Sequence, residues 1–275
     1  MLIAENISHT INERDTLKGI NFIVKPGELV ALLGANGAGK STLIKLLSTE
    51  YKNTKGAIRL HGRLLTEYNE LELALIRATM VQQPQIAADF TVEEVVLMGR
   101  YPHFTNSPQK RDLEVVQQTM SLCGIDLFAD RSILSLSGGE RQRVHLARIL
   151  AQVWDTPQAL LLLDEPISAL DLQYQHQTLA IAKALAEKGW MVICVLHDIN
   201  IAAQYAHRLL LMKNGRKMMD GTPHEVLNTR NVYTIFGIDA EIVVNPRTLR
   251  TYIIPKEVTI ASLKINKEEA NEFVA

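Results

Sequence analysis

The sequence is poor in cysteine and in net charge, and each of these scarcities excludes a class of protein. Two cysteines, Cys123 and Cys194, are present among 275 residues. They lie far apart in apolar stretches, so we expect two reduced core thiols of a cytosolic protein and no disulfide framework or thiolate metal site. The net charge is −1. This gives no global basic field, so nucleic acid is not an expected partner.

Long apolar runs are absent as well. No stretch approaches the ~18 residues that a membrane-spanning helix needs, and residues 1–6 lack the basic and apolar regions of a signal peptide. Hydrophobic residues make up 47% of the chain and charged residues 21%, which is typical of a globular protein with a substantial core. If the protein works at a membrane, we expect a different chain to span it.

A glycine-rich loop at residues 34–41 is the most informative segment that the sequence does contain. It reads Gly-Ala-Asn-Gly-Ala-Gly-Lys-Ser and matches the phosphate-binding pattern G-x-x-x-x-G-K-[ST]. An apolar run precedes it and a helix-like pattern follows, which is the setting this loop requires. Lys40 would reach the β- and γ-phosphates of a nucleotide, and the Ser41 hydroxyl would bind Mg²⁺. The predicted nucleotide-binding residues here are Gly34, Asn36, Gly37, Gly39, Lys40, Ser41 and Thr42.

Apolar runs and helix signals alternate along the rest of the chain. Near-continuous apolar runs predict buried strands of a parallel sheet at 29–33, 159–163, 190–196 and 209–212. Shorter runs predict strands near 1–7, 20–25 and 56–60. Capping signals and 3.6-residue periodicity predict helices over 91–98, over 109–122 and from 138 onward.

The order of these elements predicts an α/β fold in one domain, residues 1–275. We expect a P-loop NTPase (RecA-like) core with an antiparallel β subdomain, formed by 1–83 and 151–220. A helical subdomain, 84–150, would interrupt this core, and 221–275 would form a C-terminal extension.

Two acidic residues follow the leucine-rich run at 160–163. Asp164 is placed to hold Mg²⁺ through water together with Ser41, and Glu165 to polarise an attacking water. Strands often end in acidic residues, so this pair alone is weak evidence. In a chain with a phosphate-binding loop, however, the pair predicts hydrolysis of a nucleoside triphosphate.

Residues 136–140 predict a second anion-binding helix end. Ser137 and Glu140 form a capping-box pattern, and Gly138 and Gly139 expose the first N–H groups of the helix. The loop at 34–41 already accounts for one end of an ATP. The simplest interpretation is therefore that this second end binds the γ-phosphate of an ATP held by another copy of the chain. The alternative is an ordinary helix cap.

These motifs, in this order, resemble the ATP-binding subunits of ABC transporters over about residues 1–225. The resemblance implies that Gln83 touches metal and water, although the neighbouring Gln82 leaves this assignment open by one residue. It implies that Asp171 is the D-loop aspartate and that His197 contacts the γ-phosphate. The implied catalytic residues are thus Glu165, His197 and Gln83, and the implied Mg²⁺ ligands are Ser41, Gln83 and Asp164.

The chain departs from the family pattern at two positions. His9 stands where the family usually stacks adenine on a tyrosine, and Arg14 could assist through its planar guanidinium. Glu140 replaces the commoner glutamine of the signature motif but keeps the capping box.

The resemblance also implies a subtype and partners. Residues 96–103 resemble importers of iron–siderophores, heme and vitamin B12, and 166–177 resemble hemin importers. Such a subunit would work as a head-to-tail homodimer on a polytopic permease dimer at the cytoplasmic face of the bacterial inner membrane, and indirectly with an external substrate-binding protein. We expect the permease to dock on an exposed face near Arg100 and Tyr101. The alternative for Arg100 is a solvated helix end.

Two other functions are the less favoured alternatives. The first is a soluble ABC ATPase of DNA repair, ribosome function or cluster assembly; repair members need long coiled-coil insertions and translation-type members carry two ATPase halves, and this sequence shows neither feature. A non-enzymatic nucleotide-binding module would have no need for both Glu165 and His197.

Overall fold

The computed structural model describes residues 1–81 and 88–257. Its strands are β1 (Leu2–Ile11), β2 (Arg14–Val24), β3 (Leu29–Leu33), β4 (Lys55–Leu60), β5 (Arg63–Leu64), β6 (Arg77–Met80), β7 (Leu160–Asp164), β8 (Met191–Val195), β9 (Arg208–Lys213), β10 (Arg216–Gly221), β11 (Ala240–Val244) and β12 (Thr251–Pro255). Its α-helices are α1 (Lys40–Leu47), α2 (Glu70–Ile76), α3 (Val92–Leu97), α4 (Lys110–Cys123), α5 (Gly138–Val153), α6 (Leu172–Glu187), α7 (Ile199–Tyr205), α8 (Pro223–Val226) and α9 (Thr229–Phe236).

A six-stranded sheet forms the centre of the fold, with the strand order β10-β9-β3-β8-β7-β6. The pairs from β9 to β6 are parallel, and β10 adds an antiparallel edge. Every residue of β3, β7 and β8 is buried, because helices or a second sheet cover both faces. The predicted α/β fold and its four core strands are confirmed.

A smaller antiparallel sheet, in the order β2-β1-β4-β5, covers one side of the core. Its first two strands are longer than the predicted runs near 1–7 and 20–25, since they continue to the hairpin turn at Asn12 and Glu13. Both turn residues have positive φ, 46° and 65°, as a tight hairpin requires. This turn was hard to predict because Glu13 is not a usual turn residue.

The helices α3 and α5 begin at the predicted capping signals, and α4 ends at the predicted glycine. Thr91 and Ser137 cap α3 and α5 in reciprocal capping boxes with Glu94 and Glu140, and Gly124 ends α4 in the left-handed conformation. The α5 helix continues to Val153, past the predicted boundary at 150. The division into subdomains stays a prediction.

The prediction that Arg100 is exposed is wrong. The residue is only 2% exposed and lies in a 3₁₀ turn, Met98–His103. The guanidinium donates to Asp112 at 2.9 Å, to Asp155 at 3.0 Å and to the carbonyl oxygen of Ala151 at 2.8 Å. These partners come from α4 and from the end of α5, so only the folded chain brings them together. The neighbouring Tyr101 is the residue that faces solvent, at 58% exposed.

The C-terminal extension packs on the core. The β11–β12 hairpin contacts α7, and the side-chain amide of Asn200 forms hydrogen bonds to both the N–H and the C=O of Ile253, at 2.7 and 2.9 Å. Lys213 donates to the carbonyl oxygen of Thr234 in α9. The extension is therefore hydrogen-bonded to α7 and β9, which lie next to the site described below.

Both cysteines are free and buried, as predicted. Burial raises the pKa of Cys123 to about 12 and raises the pKa of Cys194 further. Among the described residues, no helix is both long enough and apolar enough to cross a membrane.

Candidate active site

The predicted phosphate-binding loop lies at the carboxyl end of β3, between that strand and α1. Two positions of the loop require glycine, because φ is positive there and because a Cβ atom would collide with a neighbouring carbonyl oxygen. At Gly34 (φ 154°) a Cβ atom would lie 2.3 Å from the carbonyl oxygen of Met212. At Gly39 (φ 100°) a Cβ atom would lie 2.9 Å from the carbonyl oxygen of Thr16. The loop is thus held against β9 and β2, with its N–H groups at the start of α1.

Lys40 and Ser41 open α1 and carry the polar groups of the loop. The Lys40 ammonium is buried and donates to the carbonyl oxygens of Gly34 (2.7 Å) and Ala35 (3.1 Å). Burial lowers the pKa of Lys40, and the nearby Glu165 and Asp164 carboxylates oppose that shift. An ammonium kept among carbonyl oxygens at the loop is suited to move onto phosphate oxygens.

Asp164 faces the phosphate-binding loop from β7, two strands away from β3. Its carboxylate accepts a hydrogen bond from the Ser41 hydroxyl, with 3.5 Å between the oxygens. Burial raises the pKa of Asp164, and the hydrogen bond from Ser41 opposes this. A hydroxyl and a carboxylate in contact beside a phosphate site are the hard oxygen ligands that suit Mg²⁺. This pair therefore fits the predicted metal site.

Glu165 and His197 follow the adjacent strands β7 and β8 and meet each other. The Nε2 atom of His197 lies 2.6 Å from Oε1 of Glu165. Glu165 has a φ of 52°, a left-handed conformation that is uncommon for a side chain of this type. The carboxylate is mostly shielded while the imidazole is half exposed. The two predicted catalytic residues thus form a single pair.

Most of these groups border one open cleft of about 630 Å³, and Asp164 lies behind its lining, in contact with Ser41. Its lining includes the predicted Arg14, Asn36, Gly37, Gly39, Lys40, Ser41, Thr42, Glu165 and His197. It also includes residues that the sequence analysis missed: Asp15, Thr16, Lys18, Asn214 and Gly215. Gly215 donates to the carbonyl oxygen of Ala38 at 3.0 Å and accepts from the N–H of Lys18 at 2.8 Å. The Asn214-Gly215 turn therefore joins the phosphate-binding loop to β2. An Asn-Gly pair between two apolar runs was the available signal.

The cleft does not include His9. That side chain is buried, and its ring stacks on Tyr51 with centroids 5.3 Å apart. His9 points into the smaller sheet, because it occupies an inward position of β1. Arg14 begins β2, the other strand of the same hairpin, and it lines the cleft. The structure thus separates the two residues that the sequence analysis placed at adenine.

The second anion-binding helix end lies outside the cleft lining. Ser137 Oγ accepts from the N–H of Glu140 at 3.3 Å, and the Glu140 carboxylate accepts from the N–H of Ser137 at 2.8 Å. These bonds lower the pKa of Glu140. Gly138 and Gly139 form the first turn of α5. The predicted anion-binding helix end is therefore not part of the cleft that contains the chain's own phosphate-binding loop.

Asp171 and Gln83 complete the predicted set. Asp171 caps α6, where its carboxylate accepts from the N–H of Tyr174 at 3.0 Å. It does not line the cleft. Gln83 and the neighbouring Gln82 lie outside the described residues.

Comparison with known proteins adds independent information. The family model described as "ABC transporter" matches residues 17–168. The chain is 43% identical to the hemin import ATP-binding protein HmuV of Gloeobacter violaceus, covering 93% of this chain and 94% of that protein. It is 41% identical to HmuV of Pseudomonas aeruginosa, covering 93% and 100%.

Solved structures give the same result for the fold. A structure described as an inward-facing metal-chelate type ABC transporter matches with a TM-score of 0.77 and 27% identity, covering 93% of this chain and 97% of that chain. An ATP-binding cassette in a dimeric post-hydrolysis state, bound to ADP and phosphate, matches with a TM-score of 0.71 and 26% identity, covering 81% and 99%.

Proposed function

The chain belongs to the ABC transporter family, and from that premise we propose that it powers the import of hemin through a separate membrane permease. It is an ATP-binding protein and an ATPase of the importer class. The observation that carries the proposal is that Lys40, Ser41, Asp164, Glu165 and His197 surround one site. This site lies in a chain that matches hemin import ATP-binding proteins over nearly its whole length.

The geometry supports a hydrolytic mechanism in which Glu165 is the general base. Its carboxylate would take a proton from water as the water oxygen attacks the γ-phosphorus, and the bond from the γ-phosphorus to the β–γ bridging oxygen breaks to give ADP and phosphate. His197, in contact with this carboxylate, would orient it and contact the γ-phosphate. Lys40 and the N–H groups of the loop would hold the phosphates. Ser41 and Asp164, with Gln83, would hold Mg²⁺, which supplies neutralisation of phosphate charge.

A second copy of the chain would complete each site. Ser137, Gly138 and Gly139 form a helix end that can accept an anion, yet they lie outside the cleft of their own chain. In a head-to-tail dimer with two-fold symmetry, this end would meet the γ-phosphate bound by the partner. Asp171, at the start of α6, would lie at the same interface. The dimeric ATP-binding cassette among the similar structures supports this arrangement.

The permease would dock beside the turn that carries Tyr101. This ring is exposed and contacts Phe104 edge to face. The α2 helix contacts the same turn and exposes Leu71 at 56%. An exposed tyrosine and leucine on adjacent elements are suited to a helix of a membrane protein. The chain would then lie on the cytoplasmic face of the inner membrane, with a substrate-binding protein on the opposite side.

One observation favours a second substrate class. The inward-facing transporter among the similar structures is described as metal-chelate type, which supports iron–siderophores or vitamin B12 as alternative cargo. The test is to reconstitute the chain with its cognate permease in liposomes and to measure ATPase activity with hemin, an iron–siderophore or vitamin B12 presented by the binding protein. Stimulation by hemin alone supports the proposal. Stimulation by another ligand alone assigns the cargo to that class, and no stimulation with any permease would leave a non-transport ATPase.

A further inference from the structure

Gln142 joins the second anion-binding helix to the loop that carries Glu165. It lies in the second turn of α5 and is partly buried. Its Nε2 donates to the carbonyl oxygen of Glu165 at 3.2 Å, and its Oε1 accepts from the N–H of Ala169 at 3.3 Å. One amide group therefore holds both ends of the segment 165–169.

The carbonyl group that Gln142 contacts belongs to a residue with an unfavourable backbone conformation. Glu165 has a φ of 52°, and such a conformation persists only where surrounding contacts determine it. The same carbonyl oxygen accepts from the N–H of Ser168 at 3.3 Å and from its hydroxyl at 3.2 Å. These bonds orient the peptide after Glu165, and with it the direction in which the carboxylate meets His197.

Close packing supplies a second link between α5 and this segment. A Cβ atom at Gly139 would lie 3.2 Å from the carbonyl oxygen of Ala169 and 3.4 Å from the side chain of Leu170. The first turn of α5 thus lies directly against the segment that leads to Asp171. A shift of this helix end would move the Gln142 amide relative to both of its backbone partners.

We propose that Gln142 is a positioning residue that couples occupancy of the Ser137–Gly139 helix end to the orientation of Glu165 in the same chain. This inference rests on the proposed roles of Glu165 and of the helix end. An ATP that the partner presents to Ser137 fixes α5, and Gln142 then fixes the backbone of Glu165. The base at one site becomes correctly placed when the other site is occupied.

The test compares steady-state ATP hydrolysis by the full chain with Gln142→Ala and Gln142→Glu. The glutamate can still accept from Ala169 but, when ionised, cannot donate to Glu165. Both variants lose the hydrogen bond from residue 142 to the carbonyl oxygen of Glu165, which orients the proposed base. We therefore expect kcat to fall about 3- to 10-fold in both variants while the KM for ATP stays within about twofold.

Gln152→Ala is the matched control. Gln152 lies on the same helix and also forms two side-chain hydrogen bonds to the backbone. Its Nε2 donates to the carbonyl oxygens of Ala74 (2.7 Å) and Arg77 (3.0 Å), which do not line the cleft. This variant should unfold at a lower temperature yet keep its kcat well below that temperature. A parental kcat in Gln142→Glu, or an equal loss of kcat in Gln152→Ala, overturns the proposal.

Glu165→Gln, assayed in parallel, separates this proposal from the one on which it rests. If Glu165→Gln is inactive while both Gln142 variants turn over normally, only the coupling role fails. If Glu165→Gln hydrolyses ATP at the parental rate, the assignment of the base fails, and the coupling role fails with it.

Discussion

The imidazole of His197 and the carboxylate of Glu165 lie 2.6 Å apart at the adjoining ends of β8 and β7. Adjacent parallel strands end at the same edge of a sheet, so residues far apart in sequence meet there. The contact places a carboxylate and an imidazole beside the phosphate-binding loop, where the proposed activation of a water would need a proton acceptor and a group that orients it.

We predict that Glu165→Gln retains ATP binding but hydrolyses ATP roughly 10²- to 10⁴-fold more slowly. The amide has nearly the same shape and can still contact His197, but it cannot take a proton from water. Phosphate release measures turnover, and light scattering should detect an accumulating ATP-bound dimer. Turnover within a few-fold of the parent would remove Glu165 from the role of base.

Lys40→Ala should fail at an earlier step. The variant lacks the ammonium that would contact phosphate directly, so equilibrium binding of a fluorescent ATP analogue should weaken strongly. The matched control is Lys110→Ala, since the Lys110 side chain is 93% exposed on α4 and lies outside the cleft lining. Equal affinity in the two variants would contradict the assignment of Lys40.

Local signals in the sequence predicted the elements of the core well. The β3 run was predicted at 29–33 and found there, because a fully buried strand is a continuous apolar run bounded by turn residues. The caps at Thr91 and Ser137 were equally visible, since a capping box needs only residues three positions apart. The phosphate-binding loop could also be predicted, because all of its fixed residues lie within residues 34–41.

Contacts between distant segments could not be predicted from local sequence patterns. Arg100 was expected on an exposed face, but its guanidinium pairs with Asp112 of α4 and with Asp155, which follows the end of α5. His9 is turned toward Tyr51 by the alternation of side chains along β1. Gln142 carried no motif of its own. In each case the partner is chosen by packing, which the spacing of residues does not encode.

We predict that Ser137→Arg prevents ATP-driven dimerisation and turnover while a single chain still binds ATP. The large side chain would occupy the helix end where the partner's γ-phosphate is expected. Ser121→Arg, an exposed position on α4, should behave like the parent. Light scattering with and without ATP measures dimerisation, and normal dimers of Ser137→Arg would rule out the head-to-tail geometry.

Charge reversal at Arg100 should damage the fold and not the docking of a permease. Arg100→Glu would leave the buried Asp112 without its cation and would place a third carboxylate beside Asp112 and Asp155. We therefore expect a loss of about 3–5 kcal/mol in unfolding free energy. Arg111→Ala removes a half-exposed partner of the same Asp155 and should cost less than about 1 kcal/mol. Urea unfolding compares the two variants, and similar stabilities would contradict the burial argument.

Tyr101→Ala should separate basal from permease-stimulated activity. The ring is exposed and lies outside the nucleotide cleft, so basal ATPase should stay within about twofold while stimulation in liposomes falls several-fold, as for an aromatic anchor at an interface. Tyr233→Ala is the matched control, because Tyr233 is also 58% exposed but lies on α9. Full stimulation of Tyr101→Ala would remove this turn from the docking surface.

His145 is a buried residue of α5 whose Nδ1 has no hydrogen-bond partner among the described residues. Burial, together with the positive charges of the nearby Arg148 and Arg141, lowers the pKa of His145 to about 4. The unfolded chain, with an ordinary histidine pKa of about 6.5, therefore binds more protons than the folded chain between these two values. Stability must then fall as the pH drops from about 6.5 toward 4, by roughly 3 kcal/mol in total.

His145→Gln removes this titration while keeping a polar side chain of similar size. Its unfolding free energy, measured in urea at several values between pH 7.5 and 4.5, should decline less steeply than that of the parent. His224→Gln, at an exposed position, should follow the parental curve. The difference between the parent and His145→Gln should thus change with pH only below about 6.5, since above this value the residue is neutral in both the folded and the unfolded chain. A difference that stays constant down to pH 4.5 would mean that His145 does not titrate on unfolding.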